Sequence, residues 1–141
     1  MTLARPRVLI VEDDPDLLVV LRVNLASAGI EPILAGDGRT AISRIEAERP
    51  DAVLLDVMLP GIDGWQVLEE LHARQNVVPV VVCSAKKNPA DMDRAQELGA
   101  VAYLPKPFDI DRLVDAVVTA VSVKRTRPIV LPRPVPEVGL A

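Results

Sequence analysis

The sequence predicts an α/β fold of the doubly wound type, in which helices cover both faces of a parallel five-stranded sheet. Five short apolar segments alternate along the chain with five segments whose apolar residues recur at helical spacing. Short connections rich in Gly, Pro, Asn and Asp separate them, as expected where packed elements follow one another closely. With 141 residues, the chain is long enough for one domain with a proper core and short for two.

The predicted strands are short and consist mostly of β-branched and aliphatic residues. Pro32 interrupts the second one, which indicates a sheet edge because proline donates no hydrogen bond to a neighbouring strand. The fourth is apolar throughout, as expected of a strand that is covered on both faces. The five predicted strands are residues 7–11, 30–35, 53–56, 79–83 and 101–104.

The predicted helices begin at residues that favour a helix start. Asp14–Pro15 and Asn88–Pro89 each combine a good N-cap with a first-turn proline, and Asp37 and Asp109 are further N-cap candidates. In the last helix, every apolar residue from Ile110 to Val121 fits the 3.6-residue period. The five predicted helices are residues 15–28, 38–49, 65–71, 89–98 and 110–121.

The domain is predicted to occupy residues 1–121, because the regular pattern is lost beyond them. Residues 122–141 contain four prolines and show no amphipathic period, so we expect a mobile or extended tail. Residues 1–121 hold twelve basic and nineteen acidic residues, a formal charge of −7, whereas the tail carries +3. An acidic domain argues against direct DNA binding by neutralisation of phosphates.

Three further features bear on location. No apolar run approaches the roughly 20 residues that cross a bilayer, which argues against membrane insertion. The N-terminus lacks the apolar core of a signal peptide, so we expect a cytoplasmic protein. Cys83 is the sole cysteine, so the chain cannot form an internal disulfide, and its apolar flanks predict a small buried residue.

Polar residues with complementary chemistry follow four of the predicted strands. Glu12 and Asp13 follow the first strand, Asp56 ends the third, Ser84 follows the fourth, and Lys106 follows the fifth. The carboxyl ends of parallel strands meet at one edge of the sheet, so these side chains should lie together. Clustered carboxylates need a cation to remain ionised, and Mg²⁺ with oxygen ligands is a natural one. Such a site suits a carboxylate nucleophile that attacks phosphorus, with an ammonium and a hydroxyl stabilising the negative charge.

Four segments, in this order, resemble the receiver domains of two-component response regulators over residues 6 to about 121. The segments are Val8–Asp14, Leu54–Gly64, Val81–Ala85 and Gly99–Phe108. The resemblance implies the flavodoxin-like fold, with strand order 2-1-3-4-5. It also implies phosphorelay signalling rather than a dedicated enzyme, apart from Mg²⁺-dependent phosphorylation and dephosphorylation of the chain itself.

The same resemblance assigns the central site residues. Asp56 is implied as the phosphoacceptor, which takes a phosphoryl group from a histidine kinase or a histidine phosphotransfer protein. Glu12 and Asp13 match the acidic pair that holds Mg²⁺ together with Asp56, and the Met58 backbone carbonyl is implied as a further ligand. Lys106 matches the lysine of the family's site, and its bond to Pro107 is expected to be cis.

The switch elements are implied in the same way. Ser84 and Tyr103 match the family's switch pair, and the small Ala85 matches the position that keeps the site open. We expect the Tyr103 ring to be exposed at rest and to become buried when a phosphoryl group draws the Ser84 hydroxyl inward. The output is then expected at the face formed by the fourth helix, fifth strand and fifth helix, which would bind a downstream protein or, after phosphorylation, a second copy of the chain.

One departure from the family supports an output other than DNA contact. The DNA-binding winged-helix branch usually carries an Asp-Asp pair just before its switch tyrosine, and here those positions are Val101 and Ala102. This argues against the dimer typical of that branch.

Three alternatives remain at this point. A receiver can serve as a phosphate sink that drains a shared kinase, and the sequence does not separate that role from signalling. A Mg²⁺-dependent phosphohydrolase of the haloacid dehalogenase type also uses a strand-end aspartate, but it needs a second acid two residues later, where this chain has Met58. A nucleotide-binding fold is disfavoured, because no glycine-rich loop follows the first strand and Glu12 and Asp13 would repel a pyrophosphate.

Overall fold

The computed structural model describes residues 5–85 and 88–126, and it contains five strands and five helices in strict alternation there. The strands are β1 (Arg7–Val11), β2 (Glu31–Ala35), β3 (Ala52–Asp56), β4 (Val80–Ser84) and β5 (Ala102–Pro105). The helices are α1 (Pro15–Ser27), α2 (Gly38–Glu48), α3 (Gly64–Ala73), α4 (Pro89–Glu97) and α5 (Ile110–Thr126).

All five strands pair in parallel, in the order β2-β1-β3-β4-β5. This confirms the predicted doubly wound fold and its 2-1-3-4-5 order. Pro32 lies in β2, which is an edge strand as the proline predicted. The order in which strands are added to the sheet reverses between β1 and β3, because β2 lies on one side of β1 and β3 on the other. In such folds, ligands bind beyond the carboxyl ends of the strands at that point.

Two apolar layers enclose the sheet. Alternate residues of β3 show the division: Val53 and Leu55 contribute to the layer beneath α2, α3 and α4, while Ala52 and Leu54 contribute to the layer beneath α1 and α5. β3 and β4 are buried along their whole length. The two strands that carry Asp56 and Ser84 at their ends are therefore fully enclosed by the apolar layers.

The helix starts confirm the predicted capping residues. The Asp14 side chain accepts hydrogen bonds from the backbone of Asp16 and Leu17, and the Asn88 side chain accepts one from Asp91. The Asp63 side chain forms a reciprocal capping box with Gln66, which the sequence reading did not identify. Such caps satisfy backbone N–H groups that have no partner within the helix.

The C-terminal helix differs from the prediction in two respects. α5 extends to Thr126, past residue 121, where the apolar pattern ends. Ser122 and Val123 are exposed while the helix continues through them, so the loss of the apolar pattern marks the end of packing at Val121 rather than the end of the helix. Val118 is 42% exposed although it fits the helical period, because the buried stripe runs along Leu113 and Val117. The rest of the predicted tail, residues 127–141, lies outside the described residues.

Among the described residues, no helix is long and apolar enough to span a membrane.

Candidate functional site

The carboxyl ends of β1, β3, β4 and β5 bring the predicted site residues to one edge of the sheet. Asp56 lies beside Cys83 in the register of β3 and β4, and Ser84 lies beside Pro105 in that of β4 and β5. Lys106 follows directly, and its backbone N–H donates to the Ser84 carbonyl at 2.7 Å. Parallel pairing therefore brings together residues that are up to 94 positions apart in the chain.

The ammonium of Lys106 binds two carboxylates at once. Its Nζ lies 3.0 Å from Glu12 Oε1 and 3.0 Å from Asp56 Oδ2. Both carboxylates are 4% exposed, so the ion pairs are poorly screened by water. Hydrogen bonds and charges from Asp56 and Glu12 raise the pKa of Lys106, although desolvation by burial opposes them. The lysine is therefore charged and fixed between the two acids. Its bond to Pro107 is cis, as expected.

Asp56 is held from both sides of its carboxylate. Oδ2 accepts from Lys106, while Oδ1 accepts the backbone N–H of Met58 at 2.9 Å. The next residue, Val57, donates its N–H to the Cys83 carbonyl. The sequence predicted an aspartate at the end of a buried strand, and the structure adds the two donors that orient it.

Glu12 is a buried acid whose pKa is raised by the fold. Its Oε2 accepts backbone N–H groups of Asp13 and Asp14 at 3.1 and 3.3 Å. Burial raises the pKa of Glu12 to about 7, the charge of Asp56 adds to the rise, and Lys106 opposes it. Near neutral pH, this carboxyl is therefore poised between its protonated and ionised forms.

Glu12, Asp13 and Asp56 fit a divalent cation. One ligand atom from each lies within 4.8 Å of the others, and Asp13 is exposed while the other two are buried. Three carboxylates with a single ammonium leave excess negative charge, which a hard cation with oxygen ligands would offset. The set is suited to Mg²⁺, which keeps some of its water and would reach this site from the Asp13 side. The Met58 carbonyl remains a predicted further ligand, and the Met58 side chain is 57% exposed.

The predicted switch pair is in contact. Ser84 is completely buried, Tyr103 is 5% exposed, and their side chains are hydrogen-bonded to each other. Desolvation raises the pKa of Tyr103, with the Ser84 hydrogen bond acting in the opposite direction. The expectation of an exposed resting ring is wrong here. The ring packs into the apolar layer beneath α2, α3 and α4, and Ser84 gives its hydroxyl a partner inside the protein.

Other residues that follow β4 or lie on α3 are placed as follows, together with Cys83. Ala85 is exposed directly after β4. Cys83 is buried, and burial raises the pKa of its thiol to about 12, which confirms a structural cysteine rather than a nucleophile. His72 is exposed on α3, away from the strand ends, and Trp65 is 7% exposed in the core. Lys86 and Lys87, which precede the fourth helix of the predicted output face, lie outside the described residues.

Two glycines near the site have a packing role that the sequence did not predict. A Cβ atom on Gly64 would collide with the backbone of Asp56 and Val57, so α3 begins in direct contact with the end of β3. Gly38, the first residue of α2, meets the connection between β3 and α3 in a similar way. The one available signal is a glycine in the first turn of a predicted helix, where alanine has the better propensity.

Comparison with known proteins places these features in a family. The sequence model of the response regulator receiver domain family matches residues 8–118 of this chain. The transcriptional regulatory protein PhoP of Bacillus subtilis is 37% identical over 115 residues, which are 82% of this chain and 48% of PhoP. The DNA-binding response regulator MtrA of Mycolicibacterium smegmatis is 40% identical over 114 residues, which are 81% of this chain and 50% of MtrA. The receiver domain of Francisella response regulator 1452 superposes with a TM-score of 0.81 at 30% identity, covering 86% of this chain and 99% of that one.

These relatives overturn the expectation about partners. PhoP and MtrA are transcriptional regulators, and MtrA is described as DNA-binding, so the expectation of an output without DNA binding, drawn from the acidic charge, is wrong. The chain spans about half the length of these relatives. The negative charge of residues 1–121 and the Val101–Ala102 departure are properties of the part of the chain that matches the receiver domain.

Proposed function

We propose that this chain, which belongs to the response regulator receiver domain family, takes a phosphoryl group from a histidine kinase onto the Asp56 carboxylate. One observation carries the proposal: the buried aspartate at the end of β3 is ion-paired with the Lys106 ammonium and lies close to two further acids, Glu12 and Asp13. A nucleophile, a fixed positive charge and an oxygen-ligand set for Mg²⁺ together suit phosphoryl transfer.

In the proposed reaction, an Asp56 carboxylate oxygen forms a bond to phosphorus as the bond from phosphorus to the histidine nitrogen breaks. The phosphorylated imidazole carries a proton on its other ring nitrogen, so it takes that electron pair and leaves as neutral imidazole, and the product is an acyl phosphate. When bound, Mg²⁺ would neutralise the carboxylates and the incoming phosphoryl oxygens.

Lys106 and Met58 have distinct tasks in this proposal. The Met58 N–H, 2.9 Å from Oδ1, orients the carboxylate before transfer. The Lys106 ammonium, now shared between Asp56 and Glu12, is placed to pair with a phosphoryl oxygen next to Asp56. Release of Glu12 from Lys106 would leave that acid free to serve the metal.

The proposed switch starts from the Ser84–Tyr103 hydrogen bond. A phosphoryl oxygen is a stronger acceptor than the tyrosine hydroxyl, so the Ser84 hydroxyl would turn toward Asp56 and the Tyr103 hydroxyl would lose its partner. The ligand then shifts a population between two packings, by no more than the difference in its interaction with them. Because the ring is already buried, the change would be one of partner rather than of exposure.

The test is phosphorylation by a small donor. The protein is incubated with phosphoramidate, whose phosphorus–nitrogen bond stands for phosphohistidine, with Mg²⁺ or with EDTA. Intact mass should show one added phosphoryl group with Mg²⁺ only. Asp56→Asn should acquire none, while Asp16→Asn, an exposed acid on α1, should be labelled as the wild type is. Equal labelling of Asp56→Asn and wild type would refute the assignment.

A further inference from the structure

We infer that Gly38 is a positioning residue for the metal site, although α2 contributes no side chain to it. The inference rests on the proposed function and extends it to the connection between β3 and α3. Residues 57–63 form that connection, which carries Met58 next to the Asp56 carboxylate.

Gly38 leaves no room for a side chain. A Cβ atom there would lie 2.6 Å from Ile62 Cγ1, 2.6 Å from the Ile62 carbonyl oxygen and 3.0 Å from Val67 Cγ2. A side-chain clash can be relieved by rotation, but a clash with a backbone oxygen requires the connection itself to move. Gly38 is the first helical residue of α2, so this close approach, rather than an unusual backbone conformation, requires glycine here.

The connection is short and is fastened at both ends. At its start, the Met58 N–H donates to Asp56 Oδ1, and at its end the Gly64 N–H donates to the Val57 carbonyl at 3.1 Å. Ile62 lies between these points and is partly buried against the core. A displacement at Ile62 is therefore transmitted along the connection to Met58. The Met58 N–H orients the nucleophile, and the Met58 carbonyl is the proposed metal ligand.

Gly36 provides a contrast two residues earlier. It is exposed, and a Cβ atom there would meet nothing within 4 Å. Gly36→Ala and Gly38→Ala add the same methyl group to the same short segment, but only the second pushes on the connection. The pair separates the effect on the site from a general effect of replacing glycine.

Two measurements test the role of Gly38. Mg²⁺ affinity is measured by calorimetry, and we expect Gly38→Ala to bind about tenfold more weakly than wild type, the loss typical of removing support behind a metal ligand. Amide hydrogen exchange without metal should be faster across residues 57–63 in Gly38→Ala. Gly36→Ala should match the wild type in both measurements.

The outcomes distinguish this inference from the proposed function. If the wild type binds Mg²⁺ and a folded Gly38→Ala binds it equally well, with unchanged exchange at residues 57–63, Gly38 has no positioning role. If the wild type binds no Mg²⁺, the proposed cofactor is wrong, and the exchange measurement alone decides about Gly38. Should Gly38→Ala fail to fold, Ile62→Ala removes the side chain that faces Gly38. Faster exchange at Met58 in that variant would support the inference, and unchanged exchange would overturn it.

Discussion

The guanidinium of Arg94 lies 4.5 Å from the ring centroid of Trp65, so α4 is stacked against the first turn of α3. The same guanidinium is 3.8 Å from Glu69 of α3. α4 buries only Ala95 completely, with Met92 and Leu98 partly buried. A helix with so little apolar contact depends strongly on each remaining interaction, so the Arg94–Trp65 contact should contribute measurably to its attachment.

We predict that Arg94→Gln lowers the free energy of unfolding by about 1 kcal/mol, the range of a partly exposed cation–π contact. Urea unfolding followed by far-UV circular dichroism measures the loss. The emission of Trp65, the sole tryptophan, should also change, because the charge over its ring is removed. Arg22→Gln is the control, since Arg22 is an exposed arginine on α1, on the other side of the sheet. Equal stability of the two variants would show that the contact contributes nothing.

The central site could be predicted because its residues sit at strand ends. Parallel topology alone brings Asp56, Glu12 and Lys106 to one edge, so reading the strands correctly was enough to group them. The capping residues were predictable for a related reason, since Asp14 and Asn88 act on backbone groups two or three residues away.

Contacts between distant surfaces could not be predicted in this way. Arg94 and Trp65 belong to different helices, and nothing in either local sequence indicates that the two will stack. The burial of Tyr103 comes from its packing in the apolar layer beneath α2, α3 and α4, which composition does not reveal. In the sequence, Gly38 looks like an ordinary helix start. The residue that requires a glycine there is Ile62, whose backbone lies against Gly38 although it is 24 residues later in the chain.

Adjacent acids should have separable tasks. Asp13 belongs to the acidic cluster, whereas Asp14 caps α1 through the N–H groups of Asp16 and Leu17. Asp14→Ala is expected to lower the free energy of unfolding by about 1 kcal/mol, as loss of an N-cap usually does. Asp13→Ala should change stability little, because the residue is exposed, but should weaken Mg²⁺ binding at least about tenfold.

Each of these two variants is the control for the other. Thermal unfolding in EDTA reports the cap, and Mg²⁺ titration followed by Trp65 fluorescence reports the metal site. Weak metal binding in Asp14→Ala, together with normal binding in Asp13→Ala, would contradict both assignments.

Loss of the Lys106 ammonium should destabilise the metal-free protein, because Glu12 and Asp56 would share a buried site without a counter-charge. We expect Lys106→Met to lower the free energy of unfolding by about 2 kcal/mol at pH 8, less than the roughly 3–5 kcal/mol of a fully buried pair, because the lysine is partly exposed. The cost should shrink at pH 5, where Glu12, with its pKa raised to about 7, is protonated, and saturating Mg²⁺ should recover part of it.

Urea unfolding at both pH values, with and without Mg²⁺, measures this effect. Arg112→Met removes an exposed positive charge at the start of α5 and controls for net charge. A Lys106→Met cost that is equal at pH 5 and pH 8 would show that the destabilisation is not electrostatic.

Glu12 should give the metal-free protein a pH-dependent stability. Its pKa is 4.5 as an ordinary glutamate and about 7 in the fold, so the folded state binds its proton more tightly than the unfolded state does. Glu12 therefore contributes stability that is fully present below its unfolded pKa and is lost as pH rises through about 7. Glu12→Gln, which has no such proton to release, should lose this part of the pH profile. Its free energy of unfolding relative to wild type should accordingly increase between pH 4.5 and pH 7.

Urea unfolding in EDTA across this pH range tests the prediction, with Glu31→Gln as the control, since Glu31 is exposed on the edge strand β2. With saturating Mg²⁺, the wild type should have a higher free energy of unfolding than Glu12→Gln above pH 7. The ionised Glu12 carboxylate destabilises the metal-free fold, but it becomes a ligand when Mg²⁺ is bound. If Glu12 kept its ordinary pKa, the free energies of unfolding of Glu12→Gln and wild type in EDTA would change with pH in the same way. That result would show that burial does not raise the pKa of Glu12.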